Sequence, residues 1–188
     1  MLCALGAYFA WRERAIPQPP GVLVPAEPTQ RALAESAPTF EKDRYHLKSL
    51  AEFVIEARVL ARNDYWFDAG ADLAPVDLAL GWGRMSDSAV LAQIAIQQRQ
   101  RFYYWSTTTF PIPRREIETH SANLHLIPAT RVVATQLKAV RPGHIITLSG
   151  YLVEAQRDDG WRWRSSLTRE DIGNGSCELL WVETVTVH

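Results

Sequence analysis

Two histidines, His120 and His125, stand out as candidate chemistry, with Ser121 and Asn123 between them. Metal ligation from one strand requires an even separation, and from one helix a separation of three or four. A spacing of five meets neither condition. His46 and His144 could complete a metal site only through the tertiary fold, and no Cys or Asp/Glu cluster has metal-motif spacing. The expectation is therefore no metal and no cofactor. Glu116 and Glu118, two apart, would share a face of an extended segment and form a carboxylate pair of the kind hydrolases use. His120, His125 and Glu118 are accordingly the candidate catalytic residues, in a histidine-rich turn over 118–128. A paired-carboxylate solvated strand and structural histidines are the plainer reading.

Nucleophile signatures are weaker. No Gly-x-Ser-x-Gly elbow occurs, and Cys177 has no local histidine partner. Ser86-Asp87 reads first as a helix cap. Gly81-Trp82-Gly83 lacks the glycine and lysine of a phosphate loop. Trp82 is a candidate ligand contact, although a tryptophan there more often wedges a turn into the core.

The run Trp161-Arg162-Trp163-Arg164 alternates aromatic and basic groups on opposite faces of a strand. Stacking-plus-cation recognition prefers both kinds of group on one side. Inward tryptophans with solvated arginines are the favoured account. The functional one has Arg162, Arg164 and Arg169 forming an anion-binding or partner-docking rim.

Positioning these residues requires a folded domain, and 188 residues with 47% hydrophobic content suffice for one core. A net charge of −1 provides no long-range field for nucleic acid, so no nucleic-acid partner is expected. Two cysteines are too few for a disulfide framework.

Residues 1–14 form an apolar N-terminal segment in which Leu2 to Trp11 carry no charge. That run is about half of the roughly 20 residues a spanning helix needs. It reads as the distal part of a membrane anchor or as an apolar tail packed on the domain. Arg12 and Arg14 follow it and argue for a cytoplasmic flank. Residues 15–40 are proline-rich and read as an extended spacer, which suits a domain held off a membrane. The expected location is the bacterial inner membrane with the domain outside the cytoplasm.

Residues 41–188 read as one β-rich domain. Phe53, Ile55, Ala57 and Val59 alternate with polar neighbours, as in a long strand, with a helix through Leu47, Leu50, Val54 and Ala57 as the rival. Ser86 or Asp87 can cap a helix running through Val90, Leu91 and Ile94, and Arg101 to Thr109 is strand-like. A helix from Thr130 to Val140 closes on Arg141-Pro142-Gly143. A strand bent at Gly150, a turn at Asp158-Asp159-Gly160, a returning strand and a last strand from Cys177 to Val187 complete the pattern. The expected class is α+β, β-rich: a small barrel or strongly coiled antiparallel sheet with one or two helices.

The stretches GWGRMSD (Gly81 to Asp87) and HSANLHLIPA (His120 to Ala129) resemble those of a bacterial family that carries an N-terminal membrane segment. The resemblance implies an anchor, and it carries over neither an activity nor catalytic residues. With no assembled catalytic signature, the chain reads as a membrane-tethered binding or assembly module rather than an enzyme. Its partner would be another envelope protein or a small ligand. A hydrolase centred on 118–128 is the alternative.

Overall fold

A computed structural model of the protein describes residues 14–34, 37–168 and 177–188. It is β-rich, of the α+β class, and its main sheet closes into a ring. The long strand β3 (Tyr45–Asp64) pairs with β4 (Val76–Gly81), β4 with β7 (Ser121–Pro128), β7 with β10 (Glu178–Val187), β10 with β8 (Ile145–Gln156), and β8 returns to β3. Counted along the chain, the ring order is first, second, third, fifth, fourth. Every contact is antiparallel except β7 with β10, which run parallel from Glu178 beside Leu124 to Val182 beside Pro128.

The alternation in β3 is that of a barrel stave. Phe53, Ile55, Ala57 and Val59 are buried against Leu78, Leu80, Leu124, Leu126, Leu148 and Leu180, while Glu52, Val54 and Glu56 face outward and are exposed. Twenty residues of strand must coil sharply to serve a small ring, and register shifts in β3, at Ser49/Ala51 and Val59/Ala61, relieve that bend. The corner in β8 is at Gly150. A Cβ there would lie 1.9 Å from the Trp181 carbonyl oxygen, so only glycine allows the two strands to approach beside the bulge at Val182/Thr184.

The helix α3 (Arg131–Ala139) plugs one side of the barrel with Val133 and Leu137. Thr130 caps it by accepting from the Val133 amide. Two further helices, α1 (Ser88–Leu91) and α2 (Arg114–Thr119), lie between β4 and β7 with the hairpin β5 (Ala95–Arg99) and β6 (Phe102–Ser106). They rest on a satellite core of Met85, Val90, Ile94, Ile112 and Ile117. Asp87 caps α1 through the Ala89 amide, as its position before the apolar residues predicts.

Two expectations are corrected. The segment 118–128 is not a turn: residues 114–119 are α2 and residues 121–128 are a central barrel strand. Glu116 and Glu118 therefore sit on a helix, where two residues apart means nearly opposite faces. The helix expected through Val90, Leu91 and Ile94 ends at Leu91, and Ile94 leads out of it into the satellite core. All six residues of β4 are buried, on both faces, so no polar alternation marks it.

In the proline-rich stretch 15–40, the described residues contribute to the barrel. The Ile16 amide donates to the Pro142 carbonyl, and the Gly83 amide donates to the Val24 carbonyl. The Leu23 and Val24 amides both donate to Ser86 Oγ, and the Gly21 amide donates to Asp87. Short strands β1 (Thr29–Arg31) and β2 (Thr39–Lys42) pair with β3, β1 at Glu52 to Val54 and β2 at Tyr45 to Lys48. Among the described residues, no helix is long and apolar enough to cross a membrane. The apolar run from Leu2 to Trp11 lies outside them.

Candidate functional site

The outward face of β4 and β7 carries polar residues that are nonetheless buried. Asp77 and His125 are direct cross-strand neighbours, and Ser121, Asn123 and His125 follow at period two along β7. The β5–β6 hairpin folds over them and satisfies most of their polar groups. Tyr103 pairs its hydroxyl with Ser121, Gln98 donates to Asn123 Oδ1, and Asn123 donates to the Arg101 carbonyl. Burial under this cover pushes the Tyr103 phenol up to about 12, more than its hydrogen bond with Ser121 lowers it.

Arg101 organises the site. The two residues of the hairpin turn, Gln100 and Arg101, have φ of 51° and 69°, which is the left-handed geometry of a type I′ turn without the usual asparagine or glycine. That strained turn aims the guanidinium inward. Its Nε and Nη2 donate to both oxygens of Asp68, and its Nη1 donates to Asp77 Oδ1 at 2.9 Å and to the Ala74 carbonyl at 2.7 Å. Its carbon centre lies 3.6 Å from the Tyr65 ring centroid, a cation–π contact. One residue thus ties the β3–β4 loop, strand β4 and the hairpin together. Burial raises the Asp68 carboxyl, but the bonds from Arg101 and the Gly70 amide together outweigh it and hold the group below the ordinary carboxylate range.

His125 stands beside this strut. Its Nδ1 is 2.9 Å from Asp77 Oδ1 but makes no hydrogen bond there. Asp77 Oδ2 is likewise buried without a hydrogen-bond partner. The imidazole packs against Trp163 with centroids 4.6 Å apart.

Over these groups opens a cleft of about 450 Å³. Its walls are Asp68, Ala69 and Gly70 from the β3–β4 loop, Arg101 and Phe102 from the hairpin, His125 from β7, Trp161 to Arg164 at β9 (Arg162–Arg164), and Cys177. Gly70 lets the loop pass close under Trp163, since a Cβ there would come within 2.7 Å of the ring and the ring would have to shift. Trp161 meets Trp163 edge to face at 6.0 Å and meets Tyr45 the same way at 5.4 Å. At the edge of the β3–β4 loop two large aromatics are left outside: Trp66 is 65% and Phe67 100% exposed.

The sequence candidates fall in separate places. His125 and both of Arg162 and Arg164 reach the cleft. His120 does not: it ends α2, with Nε2 3.2 Å from Glu27 and its ring 6.3 Å from that of Trp82. Glu118 is paired along α2 with Arg114 and Arg115. Trp82 is wholly buried, its Nε1 3.3 Å from Glu27 Oε2, so it closes the barrel end and presents no surface to a ligand. Arg169 lies outside the described residues. Trp163 is half-buried over Gly70 and His125 while Arg162 and Arg164 are exposed, as strand alternation predicts, yet at this short edge strand all of them border the same opening. Asp68, Asp77 and Arg101 escape sequence reasoning because they are far apart in the chain, and Gln100-Arg101 has no turn-forming residue to mark it. Among the described residues no group of His, Cys, Asp and Glu could hold a metal ion.

Compared with protein-family models, curated proteins and solved structures, the chain matches none. The reading of the site therefore rests on its geometry.

Proposed function

We propose that the chain is a binding module, tethered to the bacterial inner membrane by its apolar N-terminus with the domain outside the cytoplasm, and that its ligand occupies the cleft over His125. The carrying observation is the cleft of about 450 Å³ in which Trp161, Trp163 and Phe102 supply apolar walls and Arg162 and Arg164 a basic rim. That volume and lining are those of small-molecule sites. The position supports the same reading. In five-stranded Greek-key barrels, the face of the second and third strands, with the loops joining first to second and fourth to fifth, is a recurrent ligand surface. The cleft occupies that place, although a shared architecture names no ligand.

Thermal shift of the full chain against a panel of sugars, amino acids and short peptides tests the cleft. At least one compound should raise Tm, and the rise should vanish in Trp163→Ala. A shift that survives in Trp163→Ala, or a panel without any shift, refutes the assignment. Carbonate-resistant sedimentation with membranes tests the tether, and release into the soluble fraction would refute it.

The hydrolase alternative draws on one observation, the buried His125 and Asp77 at the cleft wall. It predicts that His125→Ala folds and loses a hydrolytic activity. Loss of folding instead makes His125 a packing residue, which suits its side chain, 3% exposed.

A further inference from the structure

We infer that the cleft selects a saccharide-sized ring bearing a single anionic group, carboxylate or phosphate, over a polyanionic chain. This rests on the cleft being the binding site. The donors decide the charge that can be received. A guanidinium has five N–H donors, and four of those of Arg101 are already committed, three to carboxylates and one to the Ala74 carbonyl. Arg164 donates to Glu154 at 2.5 Å. Arg162 is exposed on the rim, donates no side-chain hydrogen bond among the described residues, and acts on the Glu154 carboxylate through charge alone. It is the one guanidinium of the three that can give an incoming anion a bidentate contact without first breaking an ion pair.

The local charge points the same way. Arg101 is paired with Asp68 and Asp77, and Arg164 with Glu154, so neither of these guanidinium groups brings uncompensated charge to the cleft. A chain of phosphates draws its affinity from several uncompensated Lys or Arg side chains and would meet as many carboxylates as guanidinium groups here. A single anion needs only the one contact that Arg162 can give and meets the carboxylates once rather than at every phosphate. The aromatic walls select shape. Trp161 and Trp163 stand at 86° to each other, which makes a corner and not a pair of parallel plates. A flat base gains most from face-to-face stacking, whereas a puckered ring can press C–H groups on both sides of a corner. The remaining Arg101 N–H and the partly exposed Asp68 carboxylate provide a donor and an acceptor for hydroxyl groups.

Titration of the full chain by calorimetry with glucuronate, glucose 6-phosphate, glucose and a short oligothymidylate tests this. One of the two anionic sugars should bind saturably and at least about tenfold more tightly than glucose, because a hydrogen bond to a charged group is worth about a factor of ten or more. Arg162→Ala should remove that preference, and Arg162→Lys should retain part of it. Arg162 is exposed, so unchanged circular dichroism and Tm would show that the variants fold. Equal binding of glucose, or no saturable binding of either anionic sugar, overturns the inference. Tighter, steeply salt-dependent binding of oligothymidylate that Trp163→Ala abolishes overturns the ligand class and leaves the cleft standing. Binding of any probe that Trp163→Ala leaves intact overturns the cleft itself.

Discussion

Replacing Arg101 by methionine keeps the apolar stem and removes the strut between the β3–β4 loop and the hairpin. The cost follows from what is left behind. Asp77 has a fully buried side chain and would be left as a carboxylate without its guanidinium partner. Breaking a buried ion pair by removing one partner costs about 3–5 kcal/mol. The Asp68 pair is 38% exposed on the acid side and adds at most about 1 kcal/mol. We expect Arg101→Met to destabilise the protein by roughly 3 kcal/mol or more in urea denaturation with the slope m unchanged. Asp77→Asn in the same background should restore part of that loss, because it removes the stranded charge. The coupling between the two sites should reach about 2 kcal/mol. A cost for Arg101→Met below about 1 kcal/mol, or additive single substitutions, would refute the role of Arg101 as a buried strut.

Gly150→Ala should destabilise the barrel by roughly 3 kcal/mol, since its Cβ would meet the Trp181 backbone, which cannot move aside as a side chain could; a Tm within a degree or so of wild type would sink this account. Acid should weaken the fold in two stages. Burial, then Arg141, lowers the His144 imidazole, whose Nδ1 accepts from the Arg141 amide, so its contribution is present above its ordinary value near 6.5 and lost as pH falls through the lowered one. The Gly21 and Ala89 amides lower the Asp87 carboxyl, and Arg84 lowers that of Glu116, so their contributions are present above the ordinary carboxylate range and lost below it. Chemical denaturation across pH 7 to 3 should show both losses, and a flat profile would contradict them.

Much of the domain was legible because its strands and caps advertise themselves locally. β3 alternates for over a dozen residues, Thr130 and Asp87 stand where capping residues belong, and Gly150 marks the bend of β8. The tryptophans and arginines of β9 were likewise visible as an alternating run. The histidine-rich segment misled because its polar residues face outward from the barrel and suggested a solvated turn. They are buried only because a hairpin more than a dozen residues upstream folds back over them.

What the chain fixes by itself is therefore the set of local decisions: period two, caps, turns and the glycine corner, each settled by neighbours within a few residues. Ring closure is of another kind. It joins β3 to β8 and β7 to β10 across long stretches of chain, and β4 can have two buried faces only once that ring exists. The cleft belongs to the same class. Asp68, Asp77 and Arg101 meet because burial leaves each charge in need of a partner, with His125 and Trp163 packed beside them, and only the closed barrel brings those groups within reach.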